Sequence, residues 1–490
     1  MSNSSLEHDR ANVSRPRDVR ERQEATRLPL RNFVALGSGE LAARAIAFLV
    51  TATLARRLGT EGFGQLGFAT AIASYLLLVP NLALQDLGAR AVSRDPSHAS
   101  VILGSVTRVR LLAGMGGALA LVLLAALLPL AGDVRALLML NALVVIPIAL
   151  NASWVEKAME RSRAVGLALV TTQTVFVLAV MVLVHGPADL LRVPPIQAAA
   201  ELVGAMWLLR GLRRAVRDGS LSHGLAVLRG AGAMIATRLL RAVIVTADIV
   251  LLGFLVAGEQ VGLYSAAYRV CFLLTAIASS AHVVFQPRIM RAHDDAVAAS
   301  RVLTDAVWMS FALGAPLVAG GIFVAGDLLA LLFGEPYRSA APAFRLLLLS
   351  IGVLFLHGCM QAAFVARHRM PVQTGITAAA AVLNVALNLL LIAPLGIVGA
   401  AIATLAAEVL ILVATIVILW RWRWRPAARV LRRPALATAL MLAVLAGLPT
   451  DWPVLVRIAI GAILYIIGLG ALGGLPPQFR AHLVREAADR

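Results

Sequence analysis

Apolar runs about as long as a bilayer is thick recur from residue 33 to residue 475, and nothing constrains this 490-residue chain more. A helix needs roughly 20 consecutive apolar residues to cross the hydrocarbon core, and there every backbone polar group must be bonded within the segment. Successive runs of this length predict a bundle of helices. Composition agrees, with 60% hydrophobic and 14% charged residues against roughly 25% charged in an average soluble domain. The expected fold class is an all-α polytopic membrane protein with about fourteen transmembrane helices.

The net charge of +18 is mostly a topology signal. Basic residues gather in the connections at 10–31, 90–110, 157–163, 210–229, 288–301, 367–369, 421–433 and 480–490. The alternate connections hold only Arg56, Arg57, Arg135, Arg192 and Arg338. Lys and Arg concentrate on the cytoplasmic side of membrane proteins, so both termini are expected inside and the chain in the plasma (inner) membrane. Charge spread over eight segments forms no single basic face, which argues against nucleic acid as a partner. Trp420, Trp422 and Trp424, interleaved with Arg, read as interfacial anchors beside membrane lipids. Cys271 and Cys359 fall within spans without metal-ligand spacing, so no disulfide, metal or cofactor is expected. The nine His are scattered, and Gly114 to Gly117 lack the Gly-Lys-Ser/Thr of a phosphate loop, so no enzyme constellation emerges.

An internal repeat organises the spans. Residues 59–69 (GTEGFGQLGFA) recur in outline at 257–267 (AGEQVGLYSAA), matching Glu61 with Glu259 and Gly64 with Gly262. Residues 198–203 (AAAELV) likewise resemble 405–410 (LAAEVL), matching Glu201 with Glu408. These pair spans 1 with 7, 2 with 8 and 6 with 12. Six helices per repeat is an even number, so both copies enter from one side and a parallel pseudo-twofold along the membrane normal relates them. The expected organisation is a disordered basic cytoplasmic tail (1–30), an N-terminal six-helix lobe (31–210), a cytoplasmic linker (211–229) and a C-terminal six-helix lobe (230–420). A basic cytoplasmic loop (421–433), two extra helices (434–475) and a cytoplasmic tail (476–490) complete it.

Charges inside spans are costly and usually face a protein interior or a wet cavity. Arg238, Arg241 and Asp248 lie on roughly one face of the seventh span, leaving a cationic surplus that points to an anion. Planar guanidinium groups suit phosphate oxygens. On the first span Glu40 and Arg44 stand at i,i+4, the spacing of an intrahelical ion pair, with substrate contact by Arg44 the alternative. Arg269 on the eighth span is a further candidate ligand, while Arg345 and Arg457, near span ends, are expected to reach the interface. Asp248, Glu201 and Glu408 are read either as proton- or cation-coupling groups or as partners of buried Arg. Asn384 and Asn388, also i,i+4, are expected to hydrogen-bond between helices.

Several stretches resemble a known family. They are ARRLGTEGFGQ (55–65), NASWVEKAMER (151–161), DIVLLG (248–253) with VGLYSAAY (261–268), and NVALN (384–388) with IVGAAIAT (397–404). Together they resemble the polysaccharide biosynthesis proteins, oligosaccharide flippases of the multidrug/oligosaccharidyl-lipid/polysaccharide exporter superfamily, over about residues 30–420. The resemblance implies a flippase moving a polyprenyl-diphosphate-linked oligosaccharide to the outer leaflet for O-antigen, exopolysaccharide or capsule assembly, alongside a glycan polymerase and chain-length machinery. It also implies a cavity lined by Arg, to which Arg44, Arg238, Arg241 and Arg269 are assigned by type. Alternatives left open are a lipid-linked peptidoglycan-precursor flippase, a cation-coupled drug antiporter and, from another class, a membrane glycan polymerase or ligase.

Overall fold

A computed structural model describes residues 16–81, 84–159, 161–210, 219–227, 232–449 and 451–474, and every regular element among them is helical. The first half comprises α1 (Pro16–Asn81), α2 (Leu84–Arg94), α3 (Ala99–Leu127), α4 (Gly132–Asn141), α5 (Val145–Leu150), α6 (Ser153–Ala158), α7 (Ser162–Leu183) and α8 (Val193–Leu209). After α9 (Leu221–Val227) come α10 (Gly232–Leu255), α11 (Gly258–Arg291), α12 (Ala296–Phe323), α13 (Ala325–Phe333), α14 (Ala341–Gly358), α15 (Ala362–Ala366), α16 (Met370–Leu395) and α17 (Ile397–Arg421). The pair α18 (Arg432–Ala446) and α19 (Val454–Ala471) ends the described chain.

Nine stretches among the described residues are long and apolar enough to cross a membrane, fewer than the fourteen or so expected. The shortfall has local causes. Helices α8 and α18 have 17 and 15 residues, and parts of α1 and α10 lie outside the described side chains. The first two expected spans are merged in α1, where Glu40, Arg44, Arg56, Arg57 and Glu61 interrupt the apolar run. Gly59 bends α1 with φ 71, a left-handed conformation in which a Cβ would be strained.

Helix α1 begins at Pro16, so residues 16–30 are helical where a disordered tail was expected. Proline suits a helix start, and the Arg, Glu, Gln and Ala that follow are good helix formers. Residues 1–15, linker residues 211–218 and 228–231, and the tail from 475 lie outside the described residues.

The two repeat motifs meet each other. A Cβ on Gly64 would overlap the Gly258 carbonyl and stand 2.7 Å from the Gly262 nitrogen. A Cβ on Gly262 would overlap the Thr60 carbonyl and stand 3.1 Å from the Gly64 nitrogen. Thr60 and Gly258 are themselves matched in the repeat, so each copy touches the other with the same residues, the reciprocal contact made across a twofold axis. Gly67 and its counterpart Ser265 also abut, with a Cβ on Gly67 falling 2.8 Å from the serine Oγ. The main core runs continuously through this junction from Val50 to Ala401. Each lobe adds a smaller core of its own, around Leu103 and Trp154 in one and around Leu303 and Trp424 in the other. Helices α18 and α19 form a separate small core around Met441 and Tyr465.

At the Gly59 end the lobes are tied together. The Tyr337 hydroxyl donates to the carbonyls of Ala55 and Gly59, each at 3.1 Å. Arg56 donates across the junction to Leu332, at 3.0 Å, and to Leu331, while Arg57 turns back to Met181 at 2.8 Å within its own lobe. Both guanidinium groups thereby meet carbonyls at helix C-termini, where the helix dipole favours cations.

Candidate functional site

Two cavities flank the junction, one in each lobe. The N-lobe cavity, about 410 Å³, is lined by Thr51, Thr172, Gln173, Gln197, Glu201 and, from α11, Arg269. The C-lobe cavity, about 500 Å³, is lined by His282, Gln286, His357, Gln361, Gln373 and Glu408, among others. Tyr268 and Phe272 of α11 belong to both walls. A third, smaller cavity of about 100 Å³ joins Arg44 of α1 to Arg269, again with Phe272.

Arg44 and Arg269 therefore converge from opposite lobes. Both keep open surface, and among the described residues neither makes a hydrogen bond or ion pair. Glu40 does not neutralise Arg44 as the i,i+4 spacing suggested. Its carboxylate accepts from Lys157 Nζ at 2.9 Å, because α7 packs closely on α1 at Gly39 and Gly166 and the preceding α6 brings a closer cation. Arg238 and Arg241 lie on α10, and their side chains are outside the described ones.

Asp248 lies at the meeting of four helices and has no exposed surface. Tyr264 of α11 donates to it at 2.7 Å, Asn388 Nδ2 of α16 at 2.7 Å, and Thr404 of α17 also donates. Asn388 in turn reaches the backbone and side-chain oxygens of Asn384 at 2.9 and 3.1 Å. Asn388 bonds between helices, whereas the printed bonds of Asn384 are to Asn388 within α16. The described partners of Asp248 are neutral, where pairing to a buried Arg was one reading. Asn388 Oδ1 and Asn384 Nδ2 are buried without partners. Oxygen donors gathered around a carboxylate are the ligand type that hard cations take.

Glu201 and Glu408, matched in the repeat, each face the cavity of their own lobe. Their surroundings differ. Glu408 accepts from His357 Nε2 at 2.5 Å, and the His357 Nδ1 meets Gln361 Nε2 at 3.3 Å. Its partner is thus a histidine, not the arginine considered for it. His357 has 3% of its side chain exposed. No local sequence pattern marks it, because it lies at the end of α14, 51 positions from Glu408.

Other basic residues also change place. Arg110, assigned to a connection, is fully buried in α3, where it donates to the carbonyls of Ile148 and Asn151 at 2.6 and 2.7 Å. Arg457, expected to reach the interface, is buried in an ion pair. It is 6% exposed and pairs with Asp327, which it shares with Arg338. Trp424, read as an interfacial anchor, is 1% exposed in the C-lobe core, while Arg367 lies 5.2 and 5.5 Å from the rings of Trp422 and Trp424. That stacking is ordinary cation–π geometry.

Known proteins share this architecture. A lipid II flippase MurJ in an inward closed conformation superposes with a TM-score of 0.72 at 12% identity, covering 89% of this chain and 98% of that one. An inward-facing multidrug-resistance transporter of the MATE family, in the MOP superfamily, gives 0.65 at 14% identity over 78% and 94%. A MOP superfamily transporter from Pyrococcus furiosus, whose binding pocket is described as reversed in polarity, gives 0.56 at 15% identity over 81% and 96%. These likenesses establish the fold, an all-helical multi-pass membrane architecture of the MOP type. In sequence, the probable flippase AglR of Haloferax volcanii is 31% identical over 164 residues, which is 32% of this chain and only about a third (34%) of that relative. The model of the family described as "Polysaccharide biosynthesis protein" matches residues 30–293, more than half of the chain. The chain belongs to the polysaccharide biosynthesis protein family.

Proposed function

We propose that this protein is a flippase that carries a polyprenyl-diphosphate-linked oligosaccharide across the plasma membrane for O-antigen, exopolysaccharide or capsule assembly. The observation that carries this reading is the convergence of Arg44 and Arg269, one from each lobe, on a shared cavity without a described acid to neutralise them. Two guanidinium groups offer bidentate hydrogen bonds to diphosphate oxygens, and in a low-dielectric interior the charge attraction is stronger than in water. Arg238 and Arg241 of α10 are proposed as further cationic ligands by residue type. Family membership supports a role in polysaccharide assembly, and the archaeal relative named a probable flippase supports transport.

Transport proceeds by rocking of the two lobes about their junction, in the manner of transporters built from parallel repeats. The ties from Arg56 and Tyr337 hold the Gly59 ends together on the outer side, with both termini in the cytoplasm. Asp248 supplies the coupling site for a proton or Na⁺, because its neutral donors orient the carboxylate without cancelling its charge. Glu201 is a second candidate for coupling. On the outer side a glycan polymerase and its chain-length machinery receive the product.

Deleting the gene is expected to remove surface glycan and to leave its lipid-linked precursor accumulated on the cytoplasmic side, read by mass spectrometry of lipid extracts. An unchanged surface glycan with no accumulated precursor overturns the proposal. Complementation with Arg269→Ala or Arg44→Ala is expected to fall at least about tenfold, the order of one lost charge-assisted contact. Arg269→Lys is expected to recover only part of it, since an ammonium cannot grip phosphate bidentately.

A further inference from the structure

The C-lobe cavity differs in chemistry from the ground between Arg44 and Arg269, and it adjoins that ground through Phe272. We propose that it is the saccharide subsite of the flippase, with Glu408, braced by His357, and Gln361 and Gln286 as the residues that read the sugar. The assignment rests on the reading of the substrate as a glycan linked to a lipid diphosphate.

Lys and Arg are absent from the described lining of this cavity, and a carboxylate is present. Such a wall disfavours a diphosphate and suits a neutral, hydroxyl-rich group. Its volume of about 500 Å³ lies within the roughly 300–1,000 Å³ of small-molecule sites. Phe272, 54% exposed, borders all three cavities. It presents an apolar ring at the point where a sugar would join its diphosphate.

The polar wall is ordered by a directional chain of hydrogen bonds. Gln373 Nε2 donates to Gln361 Oε1 at 3.0 Å, so the Gln361 amide turns its own nitrogen toward His357 Nδ1. An amide nitrogen can only donate, so Nδ1 accepts and the imidazole proton sits on Nε2, directed at Glu408 Oε2. The imidazole ring is thereby oriented between Gln361 and Glu408, and Glu408 is held with one oxygen engaged. Its other oxygen, an acceptor with open lone pairs, serves sugar hydroxyls. Gln286 is exposed, lines the same cavity and supplies a planar amide able to pair with adjacent hydroxyls. Sites that hydrogen-bond substrate hydroxyls reject ligands lacking them strongly, because the protein groups are then left unpaired.

The test uses the full-length protein in nanodiscs and two probes. One is the glycolipid accumulated by the deletion strain, and the other is undecaprenyl diphosphate without sugar. Wild-type protein is expected to bind the glycolipid at least tenfold more tightly. Glu408→Gln and Gln286→Ala are expected to bring the glycolipid down toward the bare diphosphate while leaving diphosphate affinity unchanged, which also shows that the variants are folded. Arg269→Ala is expected to weaken both probes equally. Glycolipid preference that survives both cavity variants overturns the saccharide subsite, as does an equal loss for both probes in Glu408→Gln, which would mark Glu408 as a coupling group. Failure of wild-type protein to bind either probe would instead overturn the flippase reading itself.

Discussion

Two aspartates show how differently one bundle can hold a carboxylate. Asp327, near the start of α13, is clasped by two arginines, Arg338 from the adjoining turn and Arg457 from α19. Asp248, fully buried, is held among the described residues only by hydroxyl and amide donors from three other helices. Opposite charges complete the first, so it has little left to offer a ligand. The second is oriented by neutral donors and has no described cation beside it, the arrangement proposed above for a coupling site. The first arrangement joins elements; the second can respond to an ion.

The largest effects are expected at Asp248. Asp248→Ala leaves Tyr264, Asn388 and Thr404 without their acceptor and is expected to cost about 2–5 kcal/mol, summing three interhelical bonds of roughly 0.6–1.7 kcal/mol each, with loss of transport. Asp248→Asn keeps the shape and one acceptor oxygen. Its thermal stability in detergent should stay close to wild type while complementation drops at least about tenfold, and full complementation by this variant would remove the contrast between the two acids.

The reverse pattern is expected for Arg457→Leu. Asp327 keeps Arg338, so the loss should be about 1–2 kcal/mol, below the 3–5 typical of a fully broken buried pair, and transport should persist. A melting series separates this from Asp248→Asn, and greater transport loss in Arg457→Leu would invert the comparison.

A smaller effect concerns pH. Burial raises the Asp327 pKa, but donation from Arg457 and Arg338 outweighs it and holds the carboxyl below its usual range. A depressed folded pKa adds stability above the unfolded value, near pH 3.9, and loses it as pH falls through the folded one. The stability gap between wild type and Asp327→Asn should therefore be constant above about pH 5 and shrink below about pH 4. The smallest effect is expected for Lys157→Ala. Its pair with Glu40 is 44% and 35% exposed, and such pairs contribute within about 1 kcal/mol.

The helical class and the lobes' shared motif were legible, and Arg44 and Arg269 could be picked out singly, because charge and glycine stand out in an apolar run; that these two arginines line one cavity was not. Spacing shows which residues share a face of one helix. It does not show which other helix that face meets. Glu40 looked matched to Arg44 four positions on, yet tertiary packing delivers Lys157 from 117 positions away. His357 and Glu408 carry no local signature of their bond, and Asp327 meets Arg457 across 130 positions. Each pairing is decided by helix packing, which a linear pattern leaves open.

The glycines at the junction explain where the repeat stayed readable. Away from the junction, each copy of a duplicated unit meets different neighbours and can change alone. At Gly64 and Gly262 each copy is the surface on which the other rests, so a side chain gained by either would strike its own counterpart. The two copies are bound there to the same rule, so neither glycine can gain a side chain without displacing the other copy.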